Sequence, residues 1–531
     1  MGRVLSCAIC RVPFLWNDGA PMSPYRYGSV LSATMMGVEA VEVEVQVHLT
    51  SGVPKFHIVG LGDTAVKESG KRVLGALKNS GFSIPDGVIT VNLAPALLHK
   101  SGTGFDLPIA LGILLADGIL RPDTLQGCIA VGELGLDGGI ATVRGMVGYG
   151  LLARKREKTL VCANAVALDD LLSVKVIEAP SLNEFYSQSA TRWTHVAAGE
   201  EAGLITDNSS DAYLDFVDVV GQQQAVRALT IAAAGQHNLM MIGPPGTGKT
   251  MLAARLPTIL PPLSGDELIE AALVNSVAGQ PFDQSRRRRP FRAPHHSATT
   301  TGIVGGGNPI SPGEVSLAHN GVLFLDEMPQ FSRSTLQALR QPLEEGLIRI
   351  VRASGSLTFP ARVMLIAAAN PCPCGYLGDK SKNCRCLPGQ IEQYHNRIGG
   401  PLMDRFDMCV TVARPPAEQF FSARQEEGRS TSIELAEQVV RARAFAEERG
   451  LMPNRMLNRR ELTGSALIEP QAVALLKRAA QRLELSGRAI VRCLRLARTI
   501  ADMDESERVK NAHISEALSY RGMWSQHEYT Q

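Results

Sequence analysis

Neither sign of charge dominates this 531-residue sequence: 54 Lys and Arg stand against 52 Asp and Glu, a formal net charge of +2. So balanced a chain has no overall electrostatic pull on nucleic acid, and any DNA contact must come from local basic patches. No apolar run is long enough to span a bilayer; the longest candidate, Leu107–Leu120, is interrupted by Asp117. MGRVLSCAICRVPFLW reads as a poor secretory leader, because its short apolar stretch is cut by Arg11. MGRVLS meets the myristoylation pattern, which is short enough to arise by chance. Residues 1–23 therefore read as an N-terminal extension, with Met22 as an alternative start. Cysteine is scarce, ten in all, and does not form a secreted disulfide framework. These absences favour a cytoplasmic protein with reduced thiols and no membrane partner. Internal repeats are lacking too.

What is present suggests about three domains from length alone, with 45% hydrophobic residues to build their cores. The expected fold class is α/β. Residues 24–186 read as mixed α/β: Val41–Leu49 alternates as a half-buried strand, Thr64–Phe82 has helical spacing, Val88–Pro95 is a strand and Asp106–Asp117 a buried helix. Residues 187–213 lack any period and read as a linker. Residues 214–415 open with helix, strand, glycine-rich loop and helix, the start of a parallel α/β domain, and residues 416–531 read as a helical lid.

The strongest motif is Gly243-Pro244-Pro245-Gly246-Thr247-Gly248-Lys249-Thr250, a G-x-x-x-x-G-K-[ST] loop between strand Leu239–Ile242 and a helix. Its glycines let backbone N–H groups turn in around phosphate oxygens, and the helix N-terminus adds positive dipole. Lys249 is expected at the β- and γ-phosphates of ATP, and Thr250 on Mg²⁺. Val322–Glu327 is the expected partner strand: Asp326 would hold Mg²⁺, and Glu327 would orient or deprotonate the attacking water. A third strand, Val363–Asn370, ends in Asn370, suited to stand between γ-phosphate and water. Either strand alone could be a core strand with a polar cap; following a P-loop in this order, both read as catalytic.

Four cysteines, Cys372, Cys374, Cys384 and Cys386, form C-x-C-x₉-C-x-C around a Gly-rich polar loop. Four thiolates this close can make a tetrahedral zinc site. The alternative is reduced thiols around a loop, and the C-x-C spacing is tighter than usual.

The run Phe291–Glu327, then AANPCPCGYLG, GPLMDRFD (Gly400–Asp407) and SGRAIVRCLRLARTIADMD (Ser486–Asp504), resembles the ComM/YifB family of Mg-chelatase-like AAA+ ATPases, over nearly all of residues 24–520. The resemblance implies an N-terminal Lon-protease-like domain, an AAA+ P-loop core and a helical lid. It implies Arg405 as an arginine finger reaching a neighbouring subunit's γ-phosphate and Arg488 as sensor 2 on the lid. A planar guanidinium suits phosphate charge in the transition state. Both could instead be surface arginines, and Arg492, Arg495 and Arg498 lie near Arg488 in sequence.

In Lon-type proteases a Ser–Lys pair works on a G-P-S-A-G turn; here the matching stretch is His99–Asp106, with Gly104 in the nucleophile's place and Ser101 off-register. The domain is expected to be catalytically inactive. Arg349–Leu365 reads as strand, turn, strand, and the resemblance makes it a hairpin entering a central pore, with Arg352 on DNA. Arg286–Arg289 is a second basic run, and could equally be a solvated loop. His295 and His296, adjacent and without a carboxylate partner, read as loop structure rather than as metal ligands.

The function implied is that of an ATP-driven translocase or helicase, a homo-hexameric ring on single-stranded or branched DNA without sequence preference, promoting branch migration of imported DNA. The alternative is a chelatase-type motor that remodels a protein partner.

Overall fold

The computed structural model describes residues 26–164, 168–187, 214–283, 287–352, 355–379, 382–398, 400–415, 429–450, 453–463 and 467–521. The N-terminal extension, residues 188–213 of the expected linker, Arg286 and the hairpin turn lie outside the described residues. The chain divides into two compact units: described residues up to 187 form the first, except Met36–Glu39 and Arg144–Gly148, which belong with 214–521 in the second.

In the first unit, strands β1 (Tyr27–Met36), β2 (Glu39–Thr50), β3 (Lys55–Val59) and β4 (Val88–Ala94) form a sheet ordered β1-β2-β4-β3. Val43, Val45, Val47 and Leu49 are buried, as alternation along β2 requires. Helix Thr64–Asn79 starts where Asp63 accepts the Val66 N–H at 2.9 Å. Helix Asp106–Ala116 has no polar stripe and is buried almost throughout. A parallel sheet of β5 (Cys128–Ala130), β8 (Thr159–Cys162) and β9 (Val176–Glu178), with a two-stranded ribbon of β6 (Glu133–Leu134) and β7 (Ile140–Ala141), completes the unit's strands.

The second unit is built on β10 (Leu239–Ile242), β11 (Phe291–Arg292), the ribbon β12 (Gly305–Gly306) and β13 (Ser311–Pro312), β14 (Val322–Leu325), the hairpin β15 (Leu347–Arg352) and β16 (Gly355–Pro360), β17 (Met364–Ala369) and β18 (Met408–Thr411). Five of these form a sheet ordered β11-β14-β17-β10-β18, parallel throughout. Its central strands are unbroken apolar runs because both faces are covered. Leu239, Met241, Phe324 and Ile366 join one core, and Met240, Leu323, Leu325 and Leu365 join the core behind. The first core is shared with the helical region: Val439, Leu476, Leu496, Ile500 and Ile514 pack into it. Helices there start at well-made caps, Thr431 with Glu434 in a capping box and Ser486 accepting the Ala489 N–H. This is an α/β fold with a parallel sheet and a C-terminal helical region, as expected. A parallel sheet carries its ligands beyond the carboxyl ends of its strands, where the loops after β10, β14 and β17 lie.

Candidate active site

The segment Gly243–Thr250 turns β10 into helix Lys249–Arg255. A side chain at Gly243 would put its Cβ 2.2 Å from the Val412 carbonyl oxygen, and Gly248 is left-handed at φ +85°, so glycine is required at both. Thr247 Oγ1 donates to the Pro244 carbonyl at 2.9 Å, bracing the loop. Lys249 is buried, with Nζ donating to the carbonyls of Gly243 at 2.7 Å and Pro244 at 2.9 Å. Burial lowers its pKa, while the charges of Asp326 and Glu327 act to raise it.

Asp326 and Glu327 follow directly on β14. Thr250 Oγ1 donates to Asp326 Oδ2 at 2.5 Å, so a hydroxyl and a carboxylate already converge where a magnesium ion would take both as oxygen ligands. Glu327 adopts a left-handed backbone, φ 48° and ψ 44°, and its N–H donates to Asp326 Oδ1 at 2.9 Å. That conformation costs a non-glycine residue roughly 1–3 kcal/mol and turns the carboxylate out of the sheet, half exposed. Asn370, at the end of β17, accepts from Lys249 Nζ at 3.2 Å. Lys249, Thr250, Asp326, Glu327 and Asn370 thus share one end of the sheet.

Three neighbours were not assigned to the site from the sequence, two of them, Tyr394 and Gln222, without any signal there. His296 Nδ1 lies 4.0 Å from Glu327 Oε2 and its ring packs against His295, so the histidine expected to be mere loop structure faces the water-activating candidate. Burial pushes the Tyr394 phenol up to about 12, although the Asn370 N–H donates to it; Glu327 and Cys372 also lie close enough to raise it. Gln222 is buried and donates to the Thr247 carbonyl at 3.3 Å and the Ala413 carbonyl at 2.5 Å.

Arg405 stands elsewhere. Its carbonyl accepts from Asn238 Nδ2 at 2.8 Å, and Asn238 precedes β10, whereas the P-loop follows it. At about 3.3 Å per residue, Asn238 and Gly243, on either side of that strand, are roughly 16 Å apart. Arg488 is exposed at the start of helix Gly487–Met503 and acts on Arg405, whose pKa is lowered by burial first and then by the Arg488 and Arg340 charges. The arginines that shadow Arg488 in sequence are otherwise engaged. Arg495 donates to the Leu457 carbonyl at 2.7 Å, Arg498 is buried against Asp502, and Arg492 reaches the Phe406 carbonyl at 3.4 Å.

The four cysteines meet. Sγ of Cys372 lies 3.4 Å from that of Cys374 and 3.6 Å from that of Cys384, and the ligand atoms of all four fall within 4.8 Å of one another. A tetrahedral zinc at about 2.3 Å from each sulfur would set them about 3.8 Å apart, so the donor set fits that ion. Backbone N–H donation, from Arg385 above all, brings the Cys374 thiol down to about 6, whereas burial pushes the Cys372 thiol up to about 12. The cluster abuts the nucleotide loop: a Cβ on Gly375 would come 2.6 Å from Pro245 Cδ.

Hairpin β15–β16 is anchored by its paired Ile348 and Phe359, both buried, and becomes exposed outward, with Arg349, Val351 and Arg352 in solvent. Arg349 is a second cation that no motif marks. One arginine of the other basic run must be reassigned. Arg289 is taken up by Glu267 at 2.8 Å and by the carbonyls of Pro261 and Asn320, both at 2.7 Å, a structural clamp; Arg287 and Arg288 are exposed.

In the first unit, a Cβ on Gly104 would lie 3.2 Å from Val131 Cγ1, leaving little room for a longer side chain. Lys100, next to Ser101, is buried and donates to the Pro95 carbonyl.

A five-stranded parallel sheet with a P-loop, an acidic pair on the second strand and a polar residue on the strand between them defines an AAA+ P-loop ATPase. Three family descriptions match: "Magnesium chelatase, subunit ChlI" over residues 215–420, "Subunit ChlI of Mg-chelatase" over 45–165, and "Magnesium chelatase, subunit ChlI C-terminal" over 429–521. The chain is 43% identical to Competence protein ComM of Haemophilus influenzae, covering 93% of this chain and 97% of that protein. It is 41% identical to the uncharacterized protein YifB of Escherichia coli, covering 92% and 96%. A more distant match, 25% identical over 39% of this chain and 25% of the other, is DNA replication licensing factor Mcm6 of Drosophila melanogaster. The chain belongs to the ComM/YifB family of Mg-chelatase-like AAA+ proteins. Among the described residues no helix is long and apolar enough to cross a membrane.

Proposed function

We propose that this protein is an ATP-driven DNA translocase or helicase that works as a homo-hexameric ring and promotes branch migration of imported DNA. The carrying observation is the route from hairpin to nucleotide site. The exposed Arg349 and Arg352 sit on β15; β16 runs through Ala361–Val363 into β17; and β17 leads directly into Asn370, which receives the Lys249 ammonium. A γ-phosphate entering between Lys249 and Asn370 moves the end of the strand on which the hairpin is mounted. Guanidinium groups that project without a carboxylate partner among the described residues suit phosphate backbones rather than base edges. The names of two relatives, a competence protein and a DNA replication licensing factor, agree with DNA as the partner.

In this reading Lys249 and the P-loop backbone hold the ATP phosphates, Thr250 and Asp326 hold Mg²⁺, Glu327 activates water and Asn370 orients it. Arg405, roughly one strand length from its own P-loop, serves a neighbour's site, with Arg488 beside it. Cys372, Cys374, Cys384 and Cys386 hold a zinc ion that fixes the loop behind Pro245. The first unit contributes DNA binding or assembly rather than peptide cleavage.

A second reading, a chelatase-type motor acting on a protein partner, is favoured by the chelatase family descriptions. ATP turnover by the full chain with and without single-stranded DNA separates the two. Stimulation supports the translocase, and a rate indifferent to DNA supports the protein remodeller.

A further inference from the structure

Arg405 is not free to act as it stands. Its guanidinium is ion-paired with Glu344, its side chain is 15% exposed against 50% for Glu344, and its buried Nε has no partner among the described residues. The carboxylate therefore caps the outward side of a cation that is otherwise under-satisfied, with the charges of Arg488 and Arg340 close by. Glu344 belongs to helix Arg340–Glu345, which stops at Gly346, left-handed at φ +67°, its N–H donating to the Pro342 carbonyl at 2.8 Å. The next residue, Leu347, begins β15. The Gly346 carbonyl accepts the Ala361 N–H at 2.8 Å, tying the helix end to the far side of the hairpin. Arg455 donates to the Val363 carbonyl at 2.8 Å and reaches the Leu343 carbonyl at 3.5 Å, binding the helix to the start of β17. Beside Glu344 and Arg405 lies a cavity of about 570 Å³, room for either side chain to change rotamer.

We propose that Glu344 is a positioning residue that holds Arg405 back, and that DNA on hairpin β15–β16 shifts helix Arg340–Glu345 and releases Arg405 to the neighbouring subunit's ATP. The proposal rests on the translocase reading above. The carboxylate of Glu344 and the γ-phosphate of a neighbour compete for one guanidinium, and both bind it by charge-assisted hydrogen bonds. The helix is the shared element whose position both DNA and the finger bias. An ion pair with a half-exposed partner is weak, so the restraint is a modest brake on turnover rather than an off state.

The test is the ATP turnover of full-length Glu344→Gln, which removes the charge at nearly constant shape. DNA-free turnover should rise about three- to fivefold, the range a weak ion pair can hold back. The DNA-saturated rate should stay unchanged, so the stimulation ratio falls by the same factor. Glu344→Asp, which keeps the charge, should stay nearer the unaltered protein. In an Arg405→Ala background, Glu344→Gln should change nothing. A DNA-free rate equal to that of the unaltered chain overturns the restraint while leaving the translocase reading in place. A parallel fall of both rates overturns it too, because it marks a purely structural role. Full turnover in Arg405→Ala, or no DNA stimulation in the unaltered chain, removes the underlying reading and the restraint with it.

Discussion

The Lys249 ammonium donates to the side-chain oxygen of Asn370 at 3.2 Å, across neighbouring strands 121 residues apart in sequence. That bond exists because β17 is inserted between β10 and β14, which puts Asn370 beside the P-loop on one flank and near the Asp326–Glu327 pair on the other. Binding and bond cleavage are thereby assigned to different side chains in one small space.

The first prediction separates them. Lys249→Ala should weaken ATP binding, because the ammonium meets phosphate in the ground state. Glu327→Gln should bind ATP normally and lose about a hundredfold or more in turnover, the scale of a lost general base. Nucleotide titration paired with phosphate release reads both. Normal turnover in Glu327→Gln would take that residue out of the mechanism.

Arg405 gives a prediction in trans. Arg405→Ala should bind nucleotide and fail to hydrolyse it, and Lys249→Ala should also be inactive. Mixing the two should restore part of the activity, because some interfaces then pair an intact P-loop with an intact finger. No recovery at any mixing ratio, together with full-rate hydrolysis by a monomer, would refute a shared site.

Much of this was legible in the sequence, for physical reasons. Leu239–Ile242, Val322–Glu327 and Val363–Asn370 read as strands, and the structure makes strands of Leu239–Ile242, Val322–Leu325 and Met364–Ala369, because a sheet covered on both faces demands unbroken apolar residues. The P-loop was legible because Gly243 and Gly248 answer to a close approach and a left-handed turn that only glycine meets. Strand order was not, since nothing local in Val363–Asn370 says that it lies between the other two. Nor was the fate of Arg289 against that of Arg287 and Arg288: four consecutive arginines look alike until Glu267 is folded beside one of them. His296 near Glu327, Tyr394 near Asn370 and Glu344 on Arg405 are all tertiary pairings, invisible to periodicity and motif.

The cysteine cluster predicts metal content. Purified protein should carry about one zinc per chain, lost in a Cys374→Ser, Cys384→Ser double variant. Because Gly375 packs on Pro245 and His395 meets the Pro371 carbonyl at 2.9 Å, losing the metal should also loosen the nucleotide loop. ATP affinity should therefore fall along with thermal stability. A metal-free chain that is folded, stable and fully active would end the proposal.

The last prediction concerns Arg352. It is the final residue of β15, paired with Gly355 and exposed, while the same hairpin is fixed at its base by Ile348 and Phe359. A rigid stem with a cation at its free end can track a phosphate backbone as the stem moves. In a ring each subunit would present one such group to a central strand. Arg352→Ala should weaken DNA binding and reduce the slope of log affinity against log salt, by about 0.7 for each single-strand phosphate that the variant no longer neutralises. DNA-free ATP turnover should persist, because Arg352 touches none of the groups around Lys249. Arg349→Ala should act in the same direction, and the double variant more strongly than either alone. Sequence preference should stay flat throughout, since hydrogen bonds to phosphate carry no base information. If Arg352 is only an exposed strand residue, substitution leaves affinity, salt slope and unwinding alike. Unwinding at the normal rate in the Arg349→Ala, Arg352→Ala double variant would therefore remove the hairpin from the DNA path, while the assignments of Lys249, Asp326 and Glu327 would stand on their own geometry.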